Sequence, residues 1–240
     1  MNESMKTQGW NQGIMETSST QKEMVGALRI LPDGRKFRYA QASATAIAPG
    51  FALQPAGLPT ANHMNQSATA AAKGASVISF TVGATAVTTD QYKDGYLQIN
   101  TGTAGTLGLQ YQIKSHTTSA AGSTAISIEL YDPLVKALVA TTDKITLVAN
   151  PYRGVSLGAV AYGCAGVTPV AVPASYYFWS QTGGVANCVI VNATAKGSTL
   201  VPGADGIPKL WVVDYLQPMI GYALGVGVSN HCKPIYLTID

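Results

Sequence analysis

Charged residues are scarce in this chain of 240 residues: they make up 11% of it, against about 25% of an average soluble domain. The net charge is only +3, and no run of lysine and arginine is longer than the pair Arg35 and Lys36. Nucleic-acid binding requires a clustered basic surface, so the sequence predicts no nucleic-acid partner. A neutral surface rich in threonine and serine favours lasting contact with other proteins instead.

Long apolar segments are missing as well. No apolar run approaches the roughly 20 residues that span a bilayer, and the polar amino terminus lacks the apolar core of a signal peptide. We therefore expect neither membrane association nor secretion. The glycosylation sequons at Asn65 and Asn192 then carry no prediction, because glycosylation requires secretion.

Metal-binding and catalytic residue types are few and scattered. The cysteines, Cys164, Cys188 and Cys232, include no CxxC spacing and cannot all pair with one another, so free buried thiols are expected. His231 precedes Cys232, but neighbours in a strand point to opposite faces and form a poor chelate. The remaining histidines are remote in sequence, and no pair of carboxylates stands out. The sequence predicts no metal, no cofactor and no catalytic residue.

One motif argues for catalysis. Residues 154–158, GVSLG, match the G-x-S-x-G nucleophile elbow, and Asp205 or Asp214 followed by His231 supplies the chain order of a hydrolase triad. The elbow requires a strand, a sharp turn and a helix, whereas glycines and Pro169 interrupt the residues that follow. We predict that the protein is not an enzyme and keep a serine hydrolase that uses Ser156 as an alternative.

A regular β pattern is what the chain does contain, and it is clearest in residues 76–147. Short β-branched runs alternate apolar with polar residues, separated by Gly, Ser, Thr and Asp. A period of two sends successive side chains to opposite faces of a sheet. The pattern predicts antiparallel strands at residues 77–82, 95–99, 109–113, 125–130 and 144–148.

Shorter signals complete the fold prediction. Residues 89–93 and 132–138 each follow a cap residue and predict short helical turns that close a barrel or sandwich. Residues 24–42 predict a hairpin about a turn at 31–34, and Pro and Gly separate further strands up to residue 239. The expected fold is all-β, with antiparallel barrel or sandwich modules, short helical turns and an extended N-terminal arm.

The domain organisation follows from these segments. Residues 1–23 are expected to form the arm, because they show little periodicity and cannot bury enough of themselves to fold alone. Residues 24–75 and 149–240 predict one discontinuous β domain. Residues 76–148 predict an antiparallel β module inserted into that domain.

Three apolar residues in the arm are the candidate partner-binding residues. Trp10, Ile14 and Met15 stand in an otherwise polar segment. A solitary tryptophan in a polar arm can anchor into a pocket of a partner. The alternative is a disordered end without a role.

A run of aromatic residues, Tyr176 to Trp179, admits two interpretations. In a strand, Tyr177 and Trp179 share one face while Tyr176 and Phe178 share the other. One pair is then expected in the core. The alternative is an exposed platform on which sugars or bases stack.

Four short segments near the two ends share a recognisable pattern: residues 37–40, 46–53, 220–224 and 234–238. Together they resemble the capsid decoration, or cement, proteins of tailed bacteriophages. Residues 37–40 (FRYA) and 46–53 (AIAPGFAL) are similar to the strand and turn near the start of that family. Residues 220–224 (IGYAL) and 234–238 (PIYLT) are similar to its closing strands. The central segments at residues 92–97 (YKDGYL) and 131–134 (YDPL) are similar to segments of larger members of that family.

The resemblance implies a structural protein of a phage virion. It implies binding to the major capsid protein on the outer surface of an assembled head, with assembly in the host bacterial cytoplasm. It also implies a homo-oligomer, either a dimer or a trimer, that bridges neighbouring capsid subunits, with the arm as a tether. A tail or baseplate component and a glycan-binding β module that uses Tyr177 and Trp179 remain alternatives.

Overall fold

The computed structural model describes residues 9–55, 57, 60–102, 105–121, 124–158, 163–190, 195–211, 217–226 and 231–240. Within these ranges there is no α-helix, the two sheets are curled, and almost all strand pairs are antiparallel. The all-β fold class is therefore confirmed. A 3-10 turn is present at Ala61–His63, whereas the turn at Ala204–Gly206 contains a positive φ of 62° at Asp205 and is not helical.

The chain divides into two compact units. The first unit comprises Met1–Ala56 and Pro151–Asp240, and the second unit comprises Gly57–Asn150. The sequence-based boundary at residues 75 and 76 lies inside the second unit. The reason is that the short strand β4 (Gln66–Ser67) pairs with β9 (Lys144–Val148) of the second unit.

The second unit contains one six-stranded sheet. Besides β4 and β9, its strands are β5 (Val77–Thr81), β6 (Tyr96–Thr101), β7 (Gln110–His116) and β8 (Ala125–Leu130). The strand order is β4-β9-β6-β7-β8-β5, and an antiparallel bridge between Ala68 and Phe80 joins its two ends. Alternate side chains point inward, so β5 and β8 place Ile78, Phe80, Ile126 and Ile128 in one core.

All five strands that alternation predicts in this unit are present, but the two helical turns predicted there are wrong. Asp90 adopts a positive φ of 56° inside residues 89–93, which interrupts a right-handed helix. In residues 132–138, the amides of Leu134 and Leu138 donate to the carbonyls of Ala75 and Ala71. Their backbone groups therefore pair across to a neighbouring segment instead of along a helix.

The first unit contains a nine-stranded sheet. Its strands are β1 (Leu28–Ile30), β2 (Lys36–Ala42), β3 (Leu53–Gln54), β10 (Arg153–Leu157), β11 (Tyr177–Ile190), β12 (Thr199–Val201), β13 (Lys209–Leu210), β14 (Gly221–Ala223) and β15 (His231–Thr238). The order is β13-β12-β14-β15-β11-β2-β10-β3, and β1 pairs with β2 in the hairpin that the sequence predicts. Only β2 and β10 pair in parallel among these described strands.

Strand β11 spans the sheet and changes character along its length. Residues Tyr177 to Gly183 are all buried, whereas burial alternates from Val185 to Ile190. In the second half, Ala186, Cys188 and Ile190 face the inner core, and Val185 and Asn187 face outward. Another part of the chain must therefore cover the outer face of β11 at Tyr177 to Gly183 and leave that face exposed from Val185 onward.

Candidate binding surface

The N-terminal segment, residues 9–23, covers the first half of β11. It contains no regular element, but Ser18 forms an antiparallel bridge with Tyr177 in which each amide donates to the other carbonyl. Its apolar side chains join a cluster with Phe37, Tyr39, Tyr177 and Trp179. The described part of the predicted arm therefore packs on the first unit and is not a free extension.

Two of the three predicted partner-binding residues are used within the chain itself. Ile14 is only 2% exposed. The ring of Trp10 is half-buried and packs edge-to-face against Trp179, with 5.0 Å between ring centroids. In this conformation Ile14 has no surface to offer a partner, and binding by Trp10 stays a prediction.

Gln12 fastens the segment to the sheet. Its side-chain amide donates to the carbonyl oxygens of Glu16 (2.8 Å) and Tyr177 (3.0 Å), and its Oε1 accepts from the Tyr39 hydroxyl (2.6 Å). Its backbone carbonyl accepts from Trp179 Nε1 at 3.1 Å. The bonds to Tyr177, Tyr39 and Trp179 are buried, so each would leave a buried polar group unsatisfied if the segment left.

Arg29 of β1 packs against the buried side of the N-terminal segment. Its guanidinium contacts two indoles, with its central carbon 5.9 Å from the ring centroid of Trp10 and 5.5 Å from that of Trp179, and it donates to the Gln12 carbonyl at 3.0 Å. The residue is 2% exposed, and burial lowers its pKa from the ordinary arginine value. Cation–π contact offsets part of the cost of burying this charge.

Met15, the third predicted partner-binding residue, points the other way. Its side chain is 48% exposed and borders a groove of about 570 Å³ on the outer face of the sheet. The outer groove is lined by Met15, Arg35, Pro49, Gly50, Val167, Thr168, Pro169, Gln181, Val185, Ala186, Asn187, Cys232 and Pro234. Of the three candidates, Met15 is the one that contributes exposed surface.

Beside the outer groove, a row of apolar side chains crosses three strands. Val185 of β11 lies opposite Tyr236 of β15, which lies opposite Tyr222 of β14. The tyrosine rings stack, with centroids 5.3 Å apart and an interplanar angle of 15°. All three side chains are exposed, between 38% and 53%. We call Val185, Tyr236 and Tyr222 the tyrosine row.

Backbone pairing determines which residues form this row. On β15, Ile235 and Leu237 face the core and Tyr236 faces outward, because side chains alternate along a strand. The sequence prediction missed the row. The available signal was an aromatic residue at the position where alternation calls for a polar one, in PIYLT and in IGYAL.

Two arginines of the first unit form ion pairs. Arg35 contacts Asp33 at 2.6 Å, and Arg38 donates to both carboxylate oxygens of Asp240 at 2.9 and 3.1 Å. The hydrogen bonds from Arg38 hold the pKa of the Asp240 carboxyl below its usual value.

The three cysteines are free thiols with different exposures. Cys188 is buried, Cys164 is half-buried, and Cys232 is exposed in the outer groove. Burial raises the pKa of Cys164 to about 11 and also raises that of Cys188. The prediction of buried thiols therefore fails for Cys232, whose strand position faces outward.

Ser156 does not occupy a nucleophile elbow. It lies inside β10, pairs with Gln54 of β3, and its hydroxyl accepts a hydrogen bond from the Gln54 side-chain amide at 2.7 Å. An elbow serine lies at a turn between a strand and a helix. Asp214 lies outside the described residues. The hydrolase alternative thus loses the local structure on which its motif depends.

The exposed aromatic platform at residues 176–179 is also wrong. Trp179 and Phe178 have no exposed surface, and Tyr177 is 8% exposed. The N-terminal segment covers Tyr177 and Trp179, and the inner core takes Phe178. A glycan-binding site that uses Tyr177 and Trp179 therefore has no accessible ring.

The described residues contain neither a cluster of metal-binding side chains nor a membrane-spanning helix. No group of three or more His, Cys, Asp or Glu side chains in those ranges could hold a metal ion. Nor do those ranges include a helix with the length and apolar character needed to cross a membrane.

No family model, curated protein or solved structure matches this chain.

Proposed function

We propose that this protein is a non-catalytic structural protein of a phage virion. It binds the outer surface of a capsid, where it contacts the major capsid protein and bridges neighbouring subunits as a cement protein. The resemblance of residues 37–40, 46–53, 220–224 and 234–238 to decoration proteins supports a capsid as the partner. The choice of a protein surface as partner rests on the geometry of the first unit.

The tyrosine row is the observation that carries the proposal. Tyrosines are enriched at protein interfaces, because they bury a large ring while the hydroxyl remains solvated or bonded. Tyr222 and Tyr236 are already stacked on two paired strands. Little side-chain freedom is then lost when a partner covers them.

The outer groove gives the row a concave neighbour. Val185 belongs to both the row and the groove, and Met15 and Pro234 line the same groove. Methionine adapts its shape to a contacting surface. A projecting apolar side chain of a capsid subunit fits this combination of a flat row and a shallow groove.

Capsid binding tolerates a small contact of this kind. Many copies bind one shell, and a homo-oligomer, either a dimer or a trimer, contacts several subunits at once. Linked contacts raise the overall affinity by orders of magnitude over a single one. Weak sites therefore suffice to stabilise a shell against internal pressure.

The test uses undecorated heads of the phage that carries this gene. Purified protein is mixed with the heads, and cosedimentation and the melting temperature of the shell are measured. We expect binding at a fixed stoichiometry and a higher melting temperature. Binding without stabilisation would contradict cementing, and binding only to tails or baseplates would support the tail alternative.

Two matched valines test whether the row is the docking face. Val185→Ser alters the row, and Val77→Ser alters an exposed valine of β5 in the second unit; the two side chains are 53% and 58% exposed. We expect Val185→Ser, alone and with Tyr222→Ser and Tyr236→Ser, to weaken head binding by about tenfold or more. Val77→Ser should bind as the wild type does. The reverse result would move the docking face to the second unit.

A further inference from the structure

Two of the three histidines in the chain meet the same tyrosine in the second unit. Tyr92 lies in the loop between β5 and β6 and is 1% exposed. His63 comes from the 3-10 turn before β4, and His116 ends β7. The ring of Tyr92 lies 5.6 Å from that of His63 and 6.0 Å from that of His116. We call these three residues the histidine latch.

The hydrogen bonds of His63 determine its tautomer. Its Nε2 lies 3.0 Å from the carbonyl oxygen of Thr85, which can only accept, so Nε2 carries the proton. Its Nδ1 lies 2.5 Å from the Tyr92 hydroxyl. In the neutral ring Nδ1 is the acceptor and the hydroxyl donates. His63 is fully buried, so a proton added to its ring would be a buried charge.

His116 requires the opposite tautomer. The backbone amide of Tyr92 donates to His116 Nε2 at 3.0 Å, so this nitrogen carries no proton. Its Nδ1 lies 3.0 Å from the carbonyl oxygen of Thr117 and donates to it. A proton added to Nε2 would place two donors face to face.

Neither ring is hydrogen-bonded to a carboxylate of the described residues. The hydrogen bonds of both rings go to Tyr92 and to backbone carbonyls. On the loop, the Asp94 carboxylate accepts from Tyr131, and Asp90 and Lys93 flank Tyr92 in sequence. On β7, Lys114 is paired with Glu129 of β8 at 2.7 Å. Burial raises the pKa of Tyr92 to about 12, so its hydroxyl remains a donor in neutral and acidic solution.

We propose that the histidine latch is an acid-sensitive fastening: the neutral ring of His116 accepts from the Tyr92 amide and holds Tyr92 against the end of β7, and protonation of His116 releases that amide. Protonation of His116 breaks its bond with the Tyr92 amide. A proton added to His63 would reverse its bond with Tyr92, so that Nδ1 donates to the hydroxyl oxygen and the two side chains stay bonded.

Nuclear magnetic resonance of the imidazole nitrogens tests the first half of the proposal on the wild-type protein. At pH 7.5 we expect one histidine in the Nε2–H form and one in the Nδ1–H form, assigned with His63→Gln and His116→Gln. A mixture of tautomers at either ring, or the same tautomer at both, would overturn the proposal. The tautomers are measured on the wild-type protein, and the variants serve only to assign the resonances.

Hydrogen exchange of the Tyr92 amide tests the second half. Between pH 7.5 and pH 5, after correction for the intrinsic exchange rate, we expect its protection to fall by about fivefold or more, the equivalent of one lost hydrogen bond. The remaining strands of the second unit should keep their protection. Unchanged protection of Tyr92 across this range would contradict the latch.

A matched pair of variants shows which histidine causes the pH dependence of the Tyr92 amide protection. In His116→Gln, the amide oxygen can accept from Tyr92 but cannot take up a proton, so the pH dependence should be strongly reduced. The control is His231→Gln in the first unit, which removes an exposed histidine and should leave the pH dependence intact. If His116→Gln keeps the full pH dependence, His116 is not the group that releases the loop.

Discussion

Gly221 lies on β14 directly against the backbone of β15. Its φ of 154° is one that other residues rarely adopt, and a Cβ at this position would overlap the backbone carbonyl oxygen of Tyr236. The next residue is Tyr222, whose ring stacks on Tyr236. The missing side chain of Gly221 therefore allows the pairing that aligns the two tyrosines.

Gly221→Ala should lower the free energy of unfolding by about 2–4 kcal/mol, because the overlap involves backbone that cannot move without breaking the β14–β15 pairing. Thermal unfolding measures the change. The control is Gly57→Ala, where an added Cβ meets nothing within 4 Å. A melting temperature of Gly221→Ala equal to that of the control would show that β14 shifts freely.

The N-terminal segment acts as an element of the first unit although it has no regular secondary structure. It supplies Ile14 to a core cluster and Gln12 to a set of buried hydrogen bonds. Its position leaves Val185 and the rest of the tyrosine row uncovered. The N-terminal segment therefore determines which part of the outer face of β11 is covered and which part is exposed.

Adjacent residues of this segment give a matched test. Ile14→Ala should destabilise the protein by about 2–5 kcal/mol, as expected for a buried side chain. Met15→Ala, at an exposed neighbour, should change stability by less than about 0.5 kcal/mol. Denaturant unfolding of both variants measures the difference. Equal, small effects would mean that the segment is not docked in solution.

At the scale of the whole molecule, each unit has its own sheet and its own core. The apolar core of the second unit draws on all of its longer strands. The sheet of that unit also takes its pairing partners from residues 57–150 alone. Such a unit meets the usual conditions for independent folding.

We expect residues 57–150, expressed alone, to fold. The measurements are a dispersed amide spectrum and a cooperative thermal transition. Residues 1–56 alone should remain unfolded, because β2 would lack its partners β10 and β11. A collapsed second unit with no cooperative transition would show that it depends on the rest of the chain.

The sequence by itself determined the all-β class, the strands of the second unit and the hairpin at residues 24–42. These features follow from local alternation and turn chemistry, which act over a few residues. The sequence also singled out Met15, which borders the outer groove, although the same argument placed Ile14 and Trp10 on the surface.

Only the tertiary structure decided which faces are covered. The pairs Val185–Tyr236 and Tyr236–Tyr222 join residues that are far apart in the chain, so no local pattern shows that they form one row. The same holds for Trp179, which is buried because residues 9–23 return to lie on β11. Burial depends on long-range pairing, whereas strand formation depends on near neighbours, and this difference explains which predictions succeeded.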